Sequence, residues 1–344
     1  MSTKLLMGLM EIYGTSGNEG KIRAAILKEI RKHVKDVKVD RFGNIVAHKK
    51  GKGPKVLMAA HMDEIGLIIK SISDKGNIRC SSIGGIEAIS LIGQRVHMHG
   101  KRGKVHGIIT TPEISDDEGM EELPEISDLI VETGMDRREL KKNNIDTGTF
   151  IDLEQKSEIF GRKITGKALD DRIGCYILLE LARKLRKSRA DVYYVFTVQE
   201  EIGLYGSQTS LYGISPDMAI VVDATTADDA KEQAHEITKH LGKGPVMTIK
   251  DEDIISNLCL DGHLRKLARR LKVPLQVEVN DEGTTDARSI SVSKGGIPTT
   301  MVGVAIRNMH TTMGLASLKD IDWLIKLLEG FLRKPPLKCM QPNQ

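Results

Sequence analysis

The chain has 344 residues, with 51 lysines and arginines against 47 aspartates and glutamates, a formal net charge of +4 and only 3% aromatic residues. This describes a globular protein long enough for two domains or one large domain with an insertion. Its basic residues are mixed with acids throughout, so no nucleic-acid partner is expected, and no run approaches the length of a membrane span.

The N-terminal KLLMGLM reads as a short helix rather than a secretion signal, because Glu11 follows it without a small-residue cleavage site. Ser16 and Glu19 stand at capping-box spacing ahead of the amphipathic KIRAAILKEIRKH, which predicts a helix. VDRFGNIVAHKK and a GKGP turn lead into KVLMAA, a buried-strand run that ends at His61. Over about residues 70–160 the texture changes. Short strand-like pieces (LIGQRVHMHG, KVHGIIT, GTFIDLE) alternate with glycines, with one short helix expected near 136–140, as in a small β-rich domain set into another. From Gly166 onward helices and strands alternate. A helix through DDRIGCYILLELARKLRK has Ile173, Ile177, Leu178, Leu181, Ala182 and Leu185 on one face. The strands DVYYVFTV and MAIVVD, the helix HLRKLARRLK, the strands LQVEV and PTTMVGV, and a closing helix over 319–332 follow. The expected fold is α/β: a mixed, largely parallel sheet sandwiched by helices, with an inserted small β-barrel-like domain. Residues 1–68 and 162–344 form the discontinuous main domain and 69–161 the insertion.

Ligands of open α/β sheets bind beyond the carboxyl ends of the strands. The residues there are His61, Asp63 and Glu64 after KVLMAA, then Glu200 and Glu201 after the YYVFT strand. Asp223 follows MAIVV and His310 follows TTMVGVAIRNM, while Asp170 and Asp171 head the first helix after the insertion. Two imidazoles and several carboxylates at one sheet edge suit a pair of divalent cations such as zinc, cobalt or manganese. A two-metal hydrolase also needs a free base for its water. In His61-x-Asp63 the aspartate can reach the remaining ring nitrogen and fix the tautomer. Adjacent Glu200 and Glu201 diverge, so one can hold metal while the other faces water and substrate.

AAHMDEIG, GKALDDRIG, VQEEIGLYG, VVDAT, GTTDA and RNMH, in this order and over nearly the whole chain, resemble the tetrahedral (TET) cytosolic metallo-aminopeptidases, which include glutamyl and deblocking aminopeptidases. The resemblance implies a phosphorylase/hydrolase-like catalytic domain and two divalent metal ions per subunit, zinc or cobalt, with manganese also suited. It implies one metal on His61, Asp170 and Asp223 and the other on Asp170, Glu201 and His310. Asp170 bridges, its bond to Asp171 is cis, Glu200 is the general base and Asp63 orients His61. It further implies peptide substrates, an insertion that dimerises, dimers assembled into a hollow dodecamer, and a cytoplasmic location without membrane contact. Three stretches depart from the family pattern. Thr311-Thr312-Met313-Gly314 replaces a serine-x-x-glutamate continuation, and Gly283-Thr284-Thr285-Asp286 replaces a double glycine. The acidic TPEISDDEGMEELPE (113–125 at its core) stands where relatives carry a proline-rich turn; it reads as a solvated loop or as a charged lining at a pore or interface.

Other readings compete. A metal-dependent amidase or deacylase acting on N-acyl amino acids uses similar chemistry. A glycoside hydrolase needs carboxylates about 5–9.5 Å apart with aromatic platforms, against which stand adjacent glutamates and a single tryptophan, Trp323. An inactive peptide-binding shell conflicts with the complete ligand set. His97, His99 and His106 read as surface or interface histidines with no carboxylate placed to join them. The cysteines Cys80, Cys175, Cys259 and Cys339 form no C-x-x-C pair and predict reduced thiols rather than a zinc ribbon or a disulfide framework.

Overall fold

The computed structural model describes residues 3–111, 123–185, 189–230 and 238–340. Two helices come first, α1 (Thr3–Glu11) and α2 (Gly20–Ile30), burying Leu6, Leu9 and Met10, and Ile22, Ile26 and Ile30. The hairpin β1 (Asp36–Val39) and β2 (Ile45–Lys49) leads to β3 (Lys55–His61). The next strands are β4 (Gly66–Ile72), β5 (Ile78–Ile83), β6 (Arg95–Gly100), β7 (Gly103–Thr110), β8 (Ile130–Glu132) and β9 (Phe150–Leu153). They close into an antiparallel barrel in the order β4-β5-β8-β7-β6-β9, around Leu67, Ile69, Val96, Met98, Val131 and Ile151. The helix α3 (Arg137–Lys142) lies in the expected place, and Asp136 with Glu139 forms the capping box at its start.

The chain then returns through β10 (Glu158–Phe160), β11 (Lys163–Gly166), α4 (Leu169–Lys184), β12 (Asp191–Thr197), α5 (Tyr205–Ser210) and β13 (Met218–Thr226). It finishes with β14 (Val246–Lys250), α6 (Leu258–Leu271), β15 (Gln276–Val279), α7 (Asp286–Ser291), β16 (Thr299–Arg307), β17 (Gly314–Ser317) and α8 (Leu318–Arg333). The large sheet runs β1-β2-β12-β3-β13-β16-β17-β11-β10, with β14 and β15 branching from β16. Its centre, β12-β3-β13-β16, is parallel, and both flanks are antiparallel. Both faces of the centre are covered. Along β3, Val56, Met58 and Ala60 pack with α1, α2, α4, α6 and α8, while Leu57 and Ala59 pack on the opposite face with Leu211, Ala287 and Ile290. This two-sided burial explains why these strands read as unbroken apolar runs instead of alternating ones.

Two sequence expectations meet a different outcome. Ser16 does not cap α2: Glu19 takes the cap position without a side-chain bond, and buried Ser16 donates its hydroxyl to Asp63 Oδ2 at 2.6 Å. A helix end can be satisfied by water; a buried carboxylate cannot, and it wins the donor. Cys259 and Cys339, expected as reduced thiols, form a disulfide across a sequence separation of 80. The final turn (Leu337–Met340) folds back beside the start of α6, which no local pattern announces. Cys80 and Cys175 are free and buried. Most of the acidic 113–125 segment lies outside the described residues. Among the described residues no helix is long and apolar enough to cross a membrane.

One buried ionic cluster joins the N-terminal segment to the sheet and α4. Glu64 accepts from Gly14 N at 2.9 Å, from Lys167 Nζ at 2.7 Å and from Arg172 Nη2 at 3.3 Å. Arg172, itself fully buried, also donates from Nη1 to the carbonyls of Leu9 and Ile12. Removing one partner of such a cluster leaves buried charges uncompensated, at a cost of about 3–5 kcal/mol. Glu64→Ala is therefore expected to lower the urea midpoint by an amount equivalent to about 3–5 kcal/mol. A midpoint within experimental error of wild type would refute the clamp.

Candidate metal centre

The carboxyl ends of the parallel strands bring the site together. His61 is the last residue of β3 and pairs in register with Thr197, the last of β12; Glu200 and Glu201 follow that strand's end. Asp223 lies within β13, Asp170 starts α4, and His310 stands three residues beyond β16. All five expected ligands converge. His61 Nε2 lies 3.0 Å from Asp170 Oδ1 and 3.7 Å from Asp223 Oδ1. His310 Nε2 lies 3.4 Å from Asp170 Oδ2 and 3.6 Å from Glu201 Oε2. Asp170 thus turns one carboxylate oxygen to each histidine.

Asp63 sits behind them, fully buried. Its Oδ1 is 3.5 Å from His61 Nδ1 and accepts from Glu200 N at 3.1 Å, while Oδ2 accepts from Glu201 N at 3.3 Å and from the Ser16 hydroxyl. One side chain therefore addresses both the histidine and the backbone of the glutamate pair. The backbone here is held where ordinary residues rarely go. Ala168 (φ 53°), Gln199 (φ 53°), Asn308 (φ 53°) and His310 (φ 58°) are left-handed, and the Asp170–Asp171 peptide is cis. Each left-handed residue costs about 1–3 kcal/mol unless the surroundings over-determine it.

The electrostatics match a cation-binding donor set. Burial, reinforced by neighbouring carboxylates, pushes Glu201 up to about 8 and holds Glu200, Asp223 and Asp171 well above the usual carboxylate range. Against its own burial, Asp170 is pulled down by hydrogen bonds from His310 and His61. The same bond raises His310 to about 9. Crowded buried carboxylates of this kind hold protons that a divalent cation displaces. His61, Asp170 and Glu201 offer ligand atoms within 4.8 Å of one another, and so do His61, Asp171 and Asp223. Asp171, which the sequence placed beside the bridge, is thus a neighbour of the second group. Its Oδ1 accepts from Gly174 N and its Oδ2 has no partner.

Further residues reach the site, one of them within the GTTDA stretch. Asp286, at the start of α7, accepts from Thr197 behind His61. The barrel also reaches the site: a Cβ on Gly84 (φ 78°) would lie 3.3 Å from Glu201 Oε2 and 2.8 Å from Ile65, and one on Gly85 would lie 3.2 Å from His310 Nδ1. Two cavities flank the centre. One is lined by Asp170, Glu201, Met309 and His310. The other, past Asp223, is lined by Asp251, Glu278, Glu282 and Thr284.

The M42 glutamyl aminopeptidase family profile matches residues 43–327. The lysyl aminopeptidase of Pyrococcus furiosus is 33% identical over 338 residues, covering 96% of both chains. A TET aminopeptidase from a marine-sediment Thaumarchaeota archaeon superposes with a TM-score of 0.94 at 32% identity, covering 98% of both chains. The Pyrococcus horikoshii TET1 peptidase, which assembles into a tetrahedron or a large octahedral shell, gives 0.87 at 28% identity, covering 96% of this chain and 99% of that one.

Because Gly84 both needs a positive φ and touches Glu201, Gly84→Ala is expected to shift the glutamate by a fraction of an ångström. Displacements of about 1 Å cost on the order of a hundredfold in rate, so kcat/KM for an aminoacyl substrate should fall about tenfold or more with the far-ultraviolet circular dichroism spectrum retained. Unchanged kcat/KM would show that the barrel loop does not bear on the site.

Proposed function

The chain belongs to the M42 glutamyl aminopeptidase family and is a peptide-bond hydrolase, and we propose that it releases N-terminal residues with two divalent cations bound and Glu200 carrying the proton. His61, Asp170 and Asp223 would hold one cation and Asp170, Glu201 and His310 the other, with zinc, cobalt or manganese suited to these donors. The observation that carries this reading is Asp170, with one oxygen 3.0 Å from His61 Nε2 and the other 3.4 Å from His310 Nε2. When bound, such a pair supplies Lewis acidity and lowers the pKa of water.

The chain's own residues do the rest. Glu200 takes a proton from the attacking water onto a carboxylate oxygen; the hydroxide oxygen bonds to the carbonyl carbon of the first peptide. As the C–N bond breaks, Glu200 returns that proton to the leaving nitrogen. Asp63 holds the backbone nitrogens of Glu200 and Glu201, which separates the two adjacent carboxylates into a proton carrier and a ligand. We read residues 69–161 as a dimerisation domain and the working form as a dodecamer in the cytoplasm. The shell of the Pyrococcus horikoshii relative supports this assembly.

The cavity beyond Asp223 suits the substrate's first side chain, and its lining is acidic. Glu278 is compensated by Lys239 at 2.7 Å and by Thr225 and Thr248. Asp251 accepts from the backbone of Asp253 and Ile254 through Oδ1 and leaves buried Oδ2 without a partner. Like charges juxtaposed in such a pocket cost several kcal/mol. Lysyl substrates should therefore exceed glutamyl ones in kcat/KM by on the order of tenfold or more, measured with matched chromogenic aminoacyl substrates; a glutamyl preference would overturn the pocket assignment.

Glu200→Gln should retain the wild-type metal content by elemental analysis while kcat falls by about 10²–10⁴. Wild-type turnover in that variant would remove Glu200 from the mechanism.

A further inference from the structure

A second group of imidazoles and carboxylates lies in the barrel, away from the centre just described. His97 and His99 are alternate residues of β6, and Asp152 on β9 is the direct cross-strand partner of His97. The sequence reading of these histidines as surface groups without a carboxylate therefore fails for His97. It is fully buried, and the register of β6 against β9, invisible in the sequence, places Asp152 beside it. Asp152 Oδ2 lies 3.1 Å from His99 Nε2 and 3.6 Å from His97 Nε2. The three residues offer ligand atoms within 4.8 Å of one another. Glu154, also on the β9 side, has its Oε1 3.4 Å from His97 Nδ1, on the far side of the ring, and 3.4 Å from His106 Nδ1.

The buried atoms of this cluster are short of donors. Both ring nitrogens of His97 and both carboxylate oxygens of Asp152 lack a hydrogen-bond partner, although the two side chains are buried to 0% and 2% exposure. Groups buried so completely are nearly always satisfied, and an unsatisfied set calls for an explanation such as an ion. His97 Nε2 and Asp152 Oδ2 face each other at 3.6 Å, with Glu154 Oε1 on the opposite side of the ring. His99 Nε2 completes the trio. The exposed Lys21 side chain also places Nζ 2.7 Å from it.

We propose that His97 Nε2, His99 Nε2 and Asp152 Oδ2 form a separate site for one divalent transition-metal ion of the zinc class, with Glu154 orienting the His97 ring from its Nδ1 side. Two imidazoles and a carboxylate are a zinc-type donor set, and a carboxylate on the opposite ring nitrogen is the usual support of a metal-bound histidine. The ion would pin β6 to β9. It would also brace the N-terminal segment, because the Tyr13 ring packs edge-on against His97 at 4.2 Å between centroids. Three residues on, Ser16 donates to Asp63.

The test counts metal in the full-length protein after zinc loading and exhaustive dialysis, in wild type, His99→Gln, Asp152→Asn and Asp170→Asn, with circular dichroism on each sample. His99 is partly exposed, so its glutamine variant should fold. His99→Gln and Asp152→Asn are expected to bind one zinc fewer per chain than wild type while keeping aminopeptidase activity. Asp170→Asn should lose activity and retain one zinc, visible as an anomalous peak beside Asp152 at the zinc edge. A wild-type zinc count in folded His99→Gln, or an Asp170→Asn protein with no zinc, would overturn the barrel site. A wild-type count in Asp170→Asn would instead overturn the catalytic assignment, so the two readings fail separately.

Discussion

The structure turns on two adjacent carboxylates at the end of β3. Asp63 and Glu64 follow His61, and because successive residues on an extended chain point in opposite directions, they serve opposite surroundings. Asp63 faces the centre, holding Ser16, the backbone of Glu200 and Glu201, and the back of His61. Glu64 faces the interior, where it neutralises Lys167 and Arg172 and receives Gly14 N. The N-terminal segment, the sheet and α4 are thus fixed to one another through the same two residues that fix the site. A buried ionic cluster is a poor way to gain stability compared with apolar packing. Here it gives position: Lys167 and Arg172 flank Asp170 in sequence, so the salt bridges that anchor α4 also set where the Asp170 carboxylate stands.

That positioning opposes what the site would do alone. Asp170, Asp171, Glu200, Glu201 and Asp223 would repel one another if all were charged, and burial raises four of the five. Four non-glycine residues in left-handed conformation add local strain around them. Fixed charges and strained turns of this kind are tolerated when packing elsewhere over-determines the fold. The parallel core of β12, β3, β13 and β16, apolar on both faces, provides that surplus. The consequence is fixed geometry: the same packing that tolerates the strain holds these side chains in place.

How much of this was legible in the sequence follows from how local each signal is. The apolar runs that end at His61, near Glu200 and at Asp223 are local, and the rule that ligands gather at carboxyl strand ends joined them without any contact being known. His61, Asp63, Asp170, Glu201, Asp223 and His310 lie together in the structure. Ser16 failed for an instructive reason: its spacing to Glu19 is a valid cap pattern, but a pattern does not reveal a buried carboxylate 47 positions away that competes for the hydroxyl. Cys259 and Cys339 failed similarly, over a separation of 80. Gly84 and Gly85 carry no local mark in the sequence, and only the way the barrel packs beside the sheet gives them Glu201 and His310 as neighbours.

The two histidine–carboxylate clusters show why donor type alone does not assign a function. In both, an imidazole is buried between a carboxylate on one nitrogen and a second carboxylate on the other: Asp170 and Asp63 about His61, Asp152 and Glu154 about His97. They differ in what stands beside the donors. The sheet-edge centre has Glu200 beside the donors, held above the usual carboxylate range by burial, and it borders two cavities. Among the described residues the barrel cluster has no further carboxylate beside its donors: Glu154 lies against His97 and His106, and Tyr13, Lys21 and Lys104 crowd the approach. On the proposed reading, a cation at the first place would polarise a substrate next to Glu200, and one at the second would only tie strands together. The difference between catalysis and bracing lies in the neighbours of the donor set, and those neighbours are set by sheet register and by the way the barrel packs on the sheet.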